Sequence, residues 1–590
     1  MKKILEKVKC DYLLSGIPAS PGIAISKVFL LSGDTVLVER RYINESEIDV
    51  EIEKFKEAIE KSKNEIRTLQ SRAERRVGAK HAKIFDVHKL ILEDEVLIEE
   101  TLRTIRERKI PADYAFYQVM KKYQNTLDDS EAEYFQNRIA DLRDVKRRVI
   151  RHIQGDRSDY LSTLEGSAVI VASDLTPSDT VVLDKRKVEG FATDLGGKTS
   201  HAAIMARSLN VPAVVGLRNI TSLVNDGDRI IVDGNRGVVL VRPDEKTIKR
   251  YRRLQERYYQ IKQKLAEIKD LPCITLDGRQ IELSANLEFP DEVEAVLSYG
   301  ARGVGLYRTD YIYLAKKTLP TEEEQLEEYL KIVKKIAPDP VIIRTMDLGG
   351  DKLPQSILIP PEDNPFLGWR AIRISLERSD IFHTQLRAIL RSSAHGNVKI
   401  LFPMISSLEE IIESKKAVEK AKEELARENI PFDENIEIGV MIEVPSAALM
   451  ADQLAAYVDF LSIGTNDLVQ YLLAVDRGNE RVAYLYKHLH PAVLRMLKHI
   501  IQCGHQAGVW VGMCGEMASD PLATLILLGL ELDEFSVNPT AVPEIKKIIR
   551  SVEYREAVRI ANKALEFKTA LEVERFMTKI IRKKFKDLEI

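Results

Sequence analysis

The sequence of 590 residues has little of what marks a secreted, membrane-spanning or nucleic-acid-binding protein. Its four cysteines show no CxxC spacing, so they predict neither a disulfide framework nor a cysteine zinc site. No run of about 18–20 apolar residues is present, and the segment MKKILEKVKCDYLL lacks the apolar core of a signal peptide. With 88 basic and 91 acidic residues, no basic excess indicates nucleic-acid binding. These absences predict a chain of the reducing cytoplasm, with no membrane insertion.

The composition and the hydrophobic pattern of the sequence change several times along the chain. Because a single domain core rarely exceeds about 250–300 residues, a chain of this length should contain several domains. Turn-rich strands at 14–32 give way to densely charged helical sequence, and short β-rich runs with glycine turns return at 162–242. The pattern predicts an α/β multidomain protein in which an all-helical insertion interrupts a small α/β domain. The predicted domains are 1–33 together with 156–242 (α/β), 34–155 (helical insertion), 243–270 (helical linker) and 271–590 (barrel).

Beyond residue 270, β-rich runs alternate with long helical segments, which is typical of parallel α/β architecture. Eight such runs occur over about 310 residues, as expected for a (β/α)₈ TIM barrel. In that fold the chemistry lies at the C-terminal ends of the strands. Charged or reactive residues follow several of these runs, which a purely structural barrel would not need.

One candidate nucleophile is His201, within GGKTSHAAIMARSL (196–209). Gly196 and Gly197 predict a tight turn that allows the backbone to approach a phosphate, and Thr199 with Ser200 stands where a helix N-cap is expected. The positive end of that helix would stabilise negative charge beside the histidine. Neutral imidazole is a nucleophile, so His201 is suited to become a phosphohistidine. A buried or capping histidine is the alternative interpretation.

A second group of residues lies in the predicted barrel. Glu443 and Asp467 end two successive strands, and paired carboxylates with open water positions suit Mg²⁺. Basic side chains that could clamp a phosphate and a carboxylate surround them: Arg308, Arg344, Lys352, Arg370 and Arg477. The alternative for each arginine is a solvated charge or a salt bridge. Glu516 and Asp347 could be the partners of such bridges.

Cys514, in VGMCGEMA, is a candidate proton donor. A free cysteine is most often an inert core residue. A thiol of ordinary pKa is nevertheless mostly protonated at pH 7, and at a strand end it could give its proton to an enolate carbon.

Together these motifs resemble the phosphoenolpyruvate–protein phosphotransferase family, enzyme I of the bacterial sugar phosphotransferase system. The resemblance runs from about Leu14 to the end of the chain. It rests on long motifs in the family's order, among them SPGIA (20–24), GGKTSHAAIMARSL (196–209), GVGLYRTDYIY (303–313), RTMDLGGDK (344–352), NPFLGWRAIR (364–373), IGVMIEVPSA (438–447), DFLSIGTNDLVQYLLAVDRGN (459–479) and GMCGEMA (512–518).

The resemblance implies a role for each of these parts. His201, on a swivelling domain, would take the phosphoryl group from phosphoenolpyruvate and carry it to HPr, the small phosphocarrier protein, with Thr180 as its hydrogen-bond partner. The helical insertion would bind HPr, partly through LEDEVL (92–97) with Leu90 and Ile91. Cys514 would protonate the enolpyruvate, and the barrel domain would form a homodimer. The substrate clamp would be Arg308, Arg344, Lys352, Arg370, Asn466 and Arg477, and the Mg²⁺ ligands Glu443 and Asp467.

Departures from the family pattern are small: Asp310 stands where the family commonly has Glu, and Ser519 where it commonly has Gly.

Three alternative functions remain. A pyruvate phosphate dikinase or phosphoenolpyruvate synthase would also need an ATP-grasp domain, for which the sequence shows no room. A non-catalytic regulatory relative would be expected to lack His201 or Cys514. A Mg²⁺-dependent lyase barrel would not account for residues 1–270. Hinge motion about 156–160 and 242–270 is a further expectation.

Overall fold

The computed structural model describes most of the chain, in two compact units, Met1–Gln260 and Ile261–Ile590. Three residues predicted to act at the sites, Thr180, Thr199 and Lys352, lie outside the described residues, and so does the side chain of His201. The described residues are 10–31, 38, 40–77, 84–128, 133–155, 166–175, 187–197, 200–209, 211–314, 318–349, 357, 362–479 and 481–585.

An eight-stranded sheet forms the α/β part of the N-terminal unit, in the order β1-β8-β7-β3-β4-β5-β6-β2. Its strands are β1 (Tyr12–Ser15), β2 (Ile17–Ser20), β3 (Ile23–Leu31), β4 (Ala168–Ala172), β5 (Val188–Thr193), β6 (Ala213–Val215), β7 (Arg229–Asp233) and β8 (Val238–Val241). Strands β3 and β4 pair in parallel, with Lys27 opposite Ala168. Sequence from before and after the helical segment therefore forms one sheet, as the change of hydrophobic pattern predicted.

The helical segment between β3 and β4 has its own apolar core. Its helices are α1 (Ile48–Val77), α2 (Ile84–Leu92), α3 (Glu95–Arg108), α4 (Ala112–Asp128) and α5 (Glu133–Gln154). Phe55, Phe85 and Phe116 are fully buried in it. The hydrophobic core of the insertion is made of its own residues and not of residues from the sheet. The insertion is therefore suited to a function of its own.

After β4, the described residues of the N-terminal part include the helices α6 (His201–Leu209), α7 (Ile220–Leu223) and α8 (Glu245–Glu267). Small buried residues of α6, such as Ala202 and Ala206, pack with Phe191 of β5. Helix α8 begins by burying Ile248 and Tyr251 in a cluster with Ile231. The first turns of the predicted linker therefore belong to the core of the α/β part.

The C-terminal unit is a closed barrel of eight parallel strands, which confirms the predicted TIM-barrel architecture. The strands are β9 (Glu282–Leu287), β10 (Val304–Arg308), β11 (Val341–Arg344), β12 (Val398–Phe402), β13 (Ile438–Ile442), β14 (Phe460–Ile463), β15 (Trp510–Met513) and β16 (Glu534–Val537). All eight fall within the β-rich runs of the sequence. Pairing of β16 with β9 closes the ring.

The helices of the barrel unit follow its strands. They are α9 (Val293–Ser298), α10 (Asp310–Leu314), α11 (Glu322–Ile336), α12 (Ile372–Glu377), α13 (Ser379–Ser393), α14 (Leu408–Arg427), α15 (Pro445–Leu449), α16 (Ala451–Ala455), α17 (Thr465–Leu473), α18 (Pro491–Ala507), α19 (Pro521–Gly529), α20 (Val542–Arg550), α21 (Tyr554–Glu566) and α22 (Ala570–Lys584). In the part of the chain that the structure describes, no helix is long and apolar enough to cross a bilayer.

Aromatic side chains occupy the N-terminal end of the barrel. Phe460 and Trp510, the first residues of β14 and β15, stack with ring centroids 4.4 Å apart. The Nζ atom of Lys399 lies 4.9 Å from the Trp510 ring centroid and 2.7 Å from the Glu437 carboxylate. This packing stabilises the end of the barrel at which the strands begin. The charged residues predicted to act in catalysis lie at the opposite end, where the strands stop.

Candidate active site

A pocket of about 90 Å³ lies where the barrel strands end. Arg308 and Arg344 are the last residues of β10 and β11, and Cys514 directly follows β15. Glu443 and Asp467 come shortly after β13 and β14. The structure thus brings together every predicted barrel site residue that it describes: Arg308, Arg344, Arg370, Glu443, Asn466, Asp467, Arg477 and Cys514.

Arg344 is held by two buried carboxylates. Its Nη2 atom donates to Asp310 at 2.9 Å, and its Nη1 atom lies 2.7 Å from Asp347. Asp310 also accepts the backbone N–H of Asp347 at 3.1 Å. The remaining nitrogen, Nε, is buried and has no hydrogen-bond partner among the described residues. The two carboxylates hold the guanidinium in the lining of the pocket, where it is suited to bind an anionic ligand.

Arg370 extends this ion pairing across the pocket. Its Nη2 atom donates to Asp347 at 3.0 Å and to Asp467 at 3.3 Å, and its Nη1 atom donates to the Tyr471 hydroxyl at 3.2 Å. The carboxylates raise the pKa of Arg370 against the effect of burial. Asp310, Arg344, Asp347, Arg370 and Asp467 therefore form a buried chain of alternating charge, which fixes both guanidinium groups.

The other basic residues of the pocket are more accessible. Arg308 is half-buried, and the side chain of Arg477 is 39% exposed, with Nη1 3.9 Å from Glu516. The Oδ1 atom of Asn466 accepts the Glu516 N–H at 2.9 Å. The pocket thus combines two fixed arginines with two that have room to adjust to a ligand.

Glu443 and Asp467 place two carboxylates on the same pocket. Glu443 is 2% exposed, and its Oε1 atom accepts the Met404 N–H at 2.7 Å. Burial, together with the negative charges of Asp467 and Asp347, raises the pKa of Glu443 to about 8. A Cβ atom at Gly464 would lie 2.7 Å from Oε2 of Glu443, so glycine is needed there to leave space for the carboxylate. Two carboxylates of this kind fit a site for a divalent cation.

The thiol of Cys514 is buried at the top of the barrel interior. It packs with Leu306, Met441 and other apolar residues. Burial raises its pKa to about 11, so the group holds its proton at neutral pH. Ser462 donates a hydrogen bond to the sulfur, with 3.4 Å between Oγ and Sγ.

The motif predicted to carry a phosphohistidine lies in the N-terminal unit. His201 is the first residue of α6, and the Ala203 N–H donates to Ser200 Oγ at 3.4 Å, so Ser200 caps this helix as predicted. Gly196 has φ of +106°, which favours glycine, and a Cβ atom there would lie 2.9 Å from Ser200 Oγ. The loop before His201 therefore requires glycine at position 196.

Sequence reasoning missed several residues that support the site. Asp310 appeared only as a departure from a family pattern, whereas Tyr471 and Ser462 were not singled out. Asp347 was predicted as a possible arginine partner, and the structure confirms it for both Arg344 and Arg370. The signal that could have found Asp310 is its position two residues after the end of β10.

The domains of the chain match models of enzymes that use phosphoenolpyruvate. Residues 15–138 match the PEP-utilising enzyme N-terminal domain, 164–237 the mobile domain and 262–554 the PEP-binding domain. The chain is therefore a phosphoenolpyruvate-utilising enzyme, whose PEP-binding domain is the barrel that carries the pocket.

Relatives over nearly the whole length narrow this class. Proteins named phosphoenolpyruvate-protein phosphotransferase are 43% identical in Bacillus sp. (strain S), covering 96% of this chain and 97% of that one, and 44% identical in Haemophilus influenzae, covering 96% and 99%. A solution structure of an Enzyme I protein is 45% identical, covering 42% of this chain and 99% of that chain, with a TM-score of 0.36. The chain belongs to the phosphoenolpyruvate-protein phosphotransferase family. It transfers the phosphoryl group of phosphoenolpyruvate in the phosphotransferase system.

Proposed function

We propose that His201 carries the phosphoryl group from phosphoenolpyruvate, bound in the barrel pocket, to HPr as the first step of sugar transport. The observation that carries this proposal is the pocket itself, which gathers four arginines, three carboxylates and a protonated thiol at the strand ends. His201 supplies the nucleophile at the start of a capped helix in the mobile domain. The imidazole attacks phosphorus while the bond to the enol oxygen breaks, which leaves enolpyruvate.

The arginines of the pocket bind the phosphate and the carboxylate of the substrate. Arg344 and Arg370 are already oriented by Asp310, Asp347 and Asp467, so little reorganisation is needed when negative charge develops. The substrate clamp includes, besides these two, Arg308, Asn466, Arg477 and, by the family pattern, Lys352. Thr180, Gly196, Gly197 and Thr199 are assigned to the support of His201.

Cys514 protonates the enolate carbon. The C3 atom takes the S–H proton, a C–H bond forms, and the electron pair of the S–H bond remains on sulfur as a thiolate. The pKa of about 11 keeps the proton on sulfur until the enolate is present. Pyruvate is then released, and the thiolate takes a proton from water.

Mg²⁺ is the proposed metal, held by Glu443 and Asp467. The donor set fits, since Mg²⁺ commonly binds through one or two carboxylates plus substrate phosphate and water. Two carboxylates alone leave coordination positions open, so substrate phosphate and water would supply the remaining ligands. When bound, the ion would neutralise charge on the phosphoryl group.

We expect Glu443→Gln and Asp467→Asn each to lower labelling from radioactive phosphoenolpyruvate by at least about 100-fold at fixed Mg²⁺, because each removes a charged ligand. Glu437→Gln, at the opposite end of the barrel, is the matched control and should label normally. The measurement is a Mg²⁺ titration of protein labelling. An unchanged Mg²⁺ dependence in both site variants would contradict the metal assignment.

The helical insertion is the proposed platform for HPr. Within the predicted surface, Leu90 and Val96 are 67% and 65% exposed, whereas Leu92 and Leu97 are buried. The two exposed side chains lie on either side of the turn between α2 and α3. Single exposed apolar residues are common, but a pair flanked by acidic residues suits a partner with apolar and basic groups.

Leu90→Asp and Val96→Asp should raise the KM for HPr about tenfold or more, since each places a charge where an apolar contact is proposed. Labelling of the enzyme by phosphoenolpyruvate should not change. Val50→Asp is the control. Val50 is similarly exposed, at 55%, but it lies on α1 near Glu45. Glu45 pairs with Lys109, which follows the C-terminal end of α3, whereas Val96 lies at its N-terminal end. The proposal fails if all three variants transfer to HPr like the wild type.

Two further parts of the proposal concern assembly and location. The barrel unit exposes large apolar side chains, including Leu367 (65%), Leu449 (64%) and Tyr484 (69%), which supports a homodimer through this domain. Sedimentation equilibrium of the full chain tests the homodimer, and a monomer at all concentrations would refute it.

All four cysteines are free thiols, which supports a cytoplasmic location. Cell fractionation tests this location.

A further inference from the structure

Ser462 is a buried polar residue inside the barrel, next to the proposed proton donor. It lies on β14, opposite Gly512 of the parallel strand β15. Cys514 comes two residues after Gly512, so both side chains belong to the same face of the sheet. The Ser462 hydroxyl donates to the sulfur over 3.4 Å, and Ser462 is fully buried.

The backbone of Cys514 is fixed as well. Its N–H donates to the Ile463 carbonyl at 3.2 Å, and its own carbonyl accepts from Asn286 Nδ2 at 3.0 Å. The thiol donates to the same Ile463 carbonyl, with 3.8 Å between Sγ and the oxygen. The sulfur therefore lies between two polar groups of β14, the Ser462 hydroxyl that donates to it and the Ile463 carbonyl that accepts from it.

We propose that Ser462 is a positioning residue for the proton transfer, acting through the sulfur of Cys514. This inference rests on the proposed function of Cys514. Because the hydroxyl donates, it occupies a lone pair of sulfur and turns the S–H hydrogen away from Ser462. After the proton has moved to C3, the same hydroxyl donates to the thiolate, which has become a stronger acceptor.

A purely structural role for Ser462 is the competing interpretation. If Ser462 only filled space, alanine would serve as well, because it has nearly the same size and avoids the cost of burying a hydroxyl group. The hydrogen bond also lowers the pKa of Cys514 against the effect of burial, so the hydroxyl stabilises the thiolate more than the thiol. Packing alone would produce no such preference for one protonation state.

The test uses the reverse proton transfer in the full-length enzyme. Pyruvate is incubated with enzyme and Mg²⁺ in D₂O, and loss of the methyl proton signal is followed by NMR. Ser462→Ala should slow the exchange about tenfold or more, with the KM for pyruvate within about twofold, because a hydrogen bond to a charged group is lost. Ser462→Thr, which keeps a hydroxyl, should retain most of the rate.

Two controls separate the possible failures. Ser414→Ala removes another fully buried serine hydroxyl, on α14, and should exchange normally. Cys514→Ala should not exchange. If Ser462→Ala exchanges like the wild type while Cys514→Ala does not exchange, the role of Ser462 is overturned and that of Cys514 stands. Equal losses of exchange in Ser462→Ala and Ser462→Thr would also overturn the role of Ser462. Normal exchange in Cys514→Ala would overturn the proton-donor assignment and with it the role of Ser462.

Discussion

His201→Ala should abolish labelling of the protein by radioactive phosphoenolpyruvate. The imidazole nitrogen is the proposed nucleophile, and a methyl group offers no atom that could accept phosphorus. The wild type should give a phosphoprotein that is labile in acid and stable in base, as expected of a phosphorus–nitrogen bond. Pyruvate formation should fall below detection together with the label, because the enolpyruvate that is protonated to pyruvate forms only when the phosphoryl group is transferred.

The matched control for this variant is His395→Ala, which removes an exposed histidine of the barrel unit. It should label like the wild type. Both variants should keep the far-ultraviolet circular dichroism of the wild type, since Ser200 still caps α6 in His201→Ala. Retained labelling of His201→Ala would refute the assignment of the phosphoryl acceptor.

Arg344→Met should lower the rate of labelling about 1000-fold or more. Removing one oriented donor from a developing anion costs about 10²–10³ in rate, and Arg344 is also proposed to bind the substrate in the ground state. The variant should lose about 3–5 kcal/mol of stability as well, because removing Arg344 breaks its buried ion pair with Asp310. Rapid-quench labelling and chemical denaturation measure the two effects.

A second substitution separates these two effects. In Asp310→Asn/Arg344→Met the buried charge is removed, while Asn can still accept the Asp347 N–H, so much of the stability should return. Labelling should stay as low as in the single variant. Arg378→Met, which breaks a surface pair with Asp380, should change neither quantity much. Recovery of labelling in the double variant would show that Arg344 acts on folding and not on the substrate.

The barrel could be predicted because its strands are short, apolar and regularly spaced. Residues at strand ends such as Arg344 and Cys514 then follow from a rule of the fold, without knowledge of any contact. The capped glycine turn before His201 is equally local, so the sequence alone predicts it.

Contacts that depend on the register of distant strands could not be predicted. Asp310 reaches Arg344 only because β10 and β11 are neighbours, and 34 positions separate the two residues in sequence. Ser462 and Cys514 meet across β14 and β15 through a register that periodicity does not reveal. Likewise, the family resemblance placed Leu90 and Leu92 in one predicted surface, although packing buries Leu92.

The central claim is that the transferred phosphoryl group resides on His201, and locating that group by mass spectrometry tests it most directly. The enzyme is incubated with phosphoenolpyruvate and Mg²⁺, kept at alkaline pH and digested. We predict a phosphoryl group on the imidazole of the peptide that contains residues 200–209. A phosphoryl group on another histidine, or on a carboxylate as a hydroxylamine-sensitive acyl phosphate, would contradict the account.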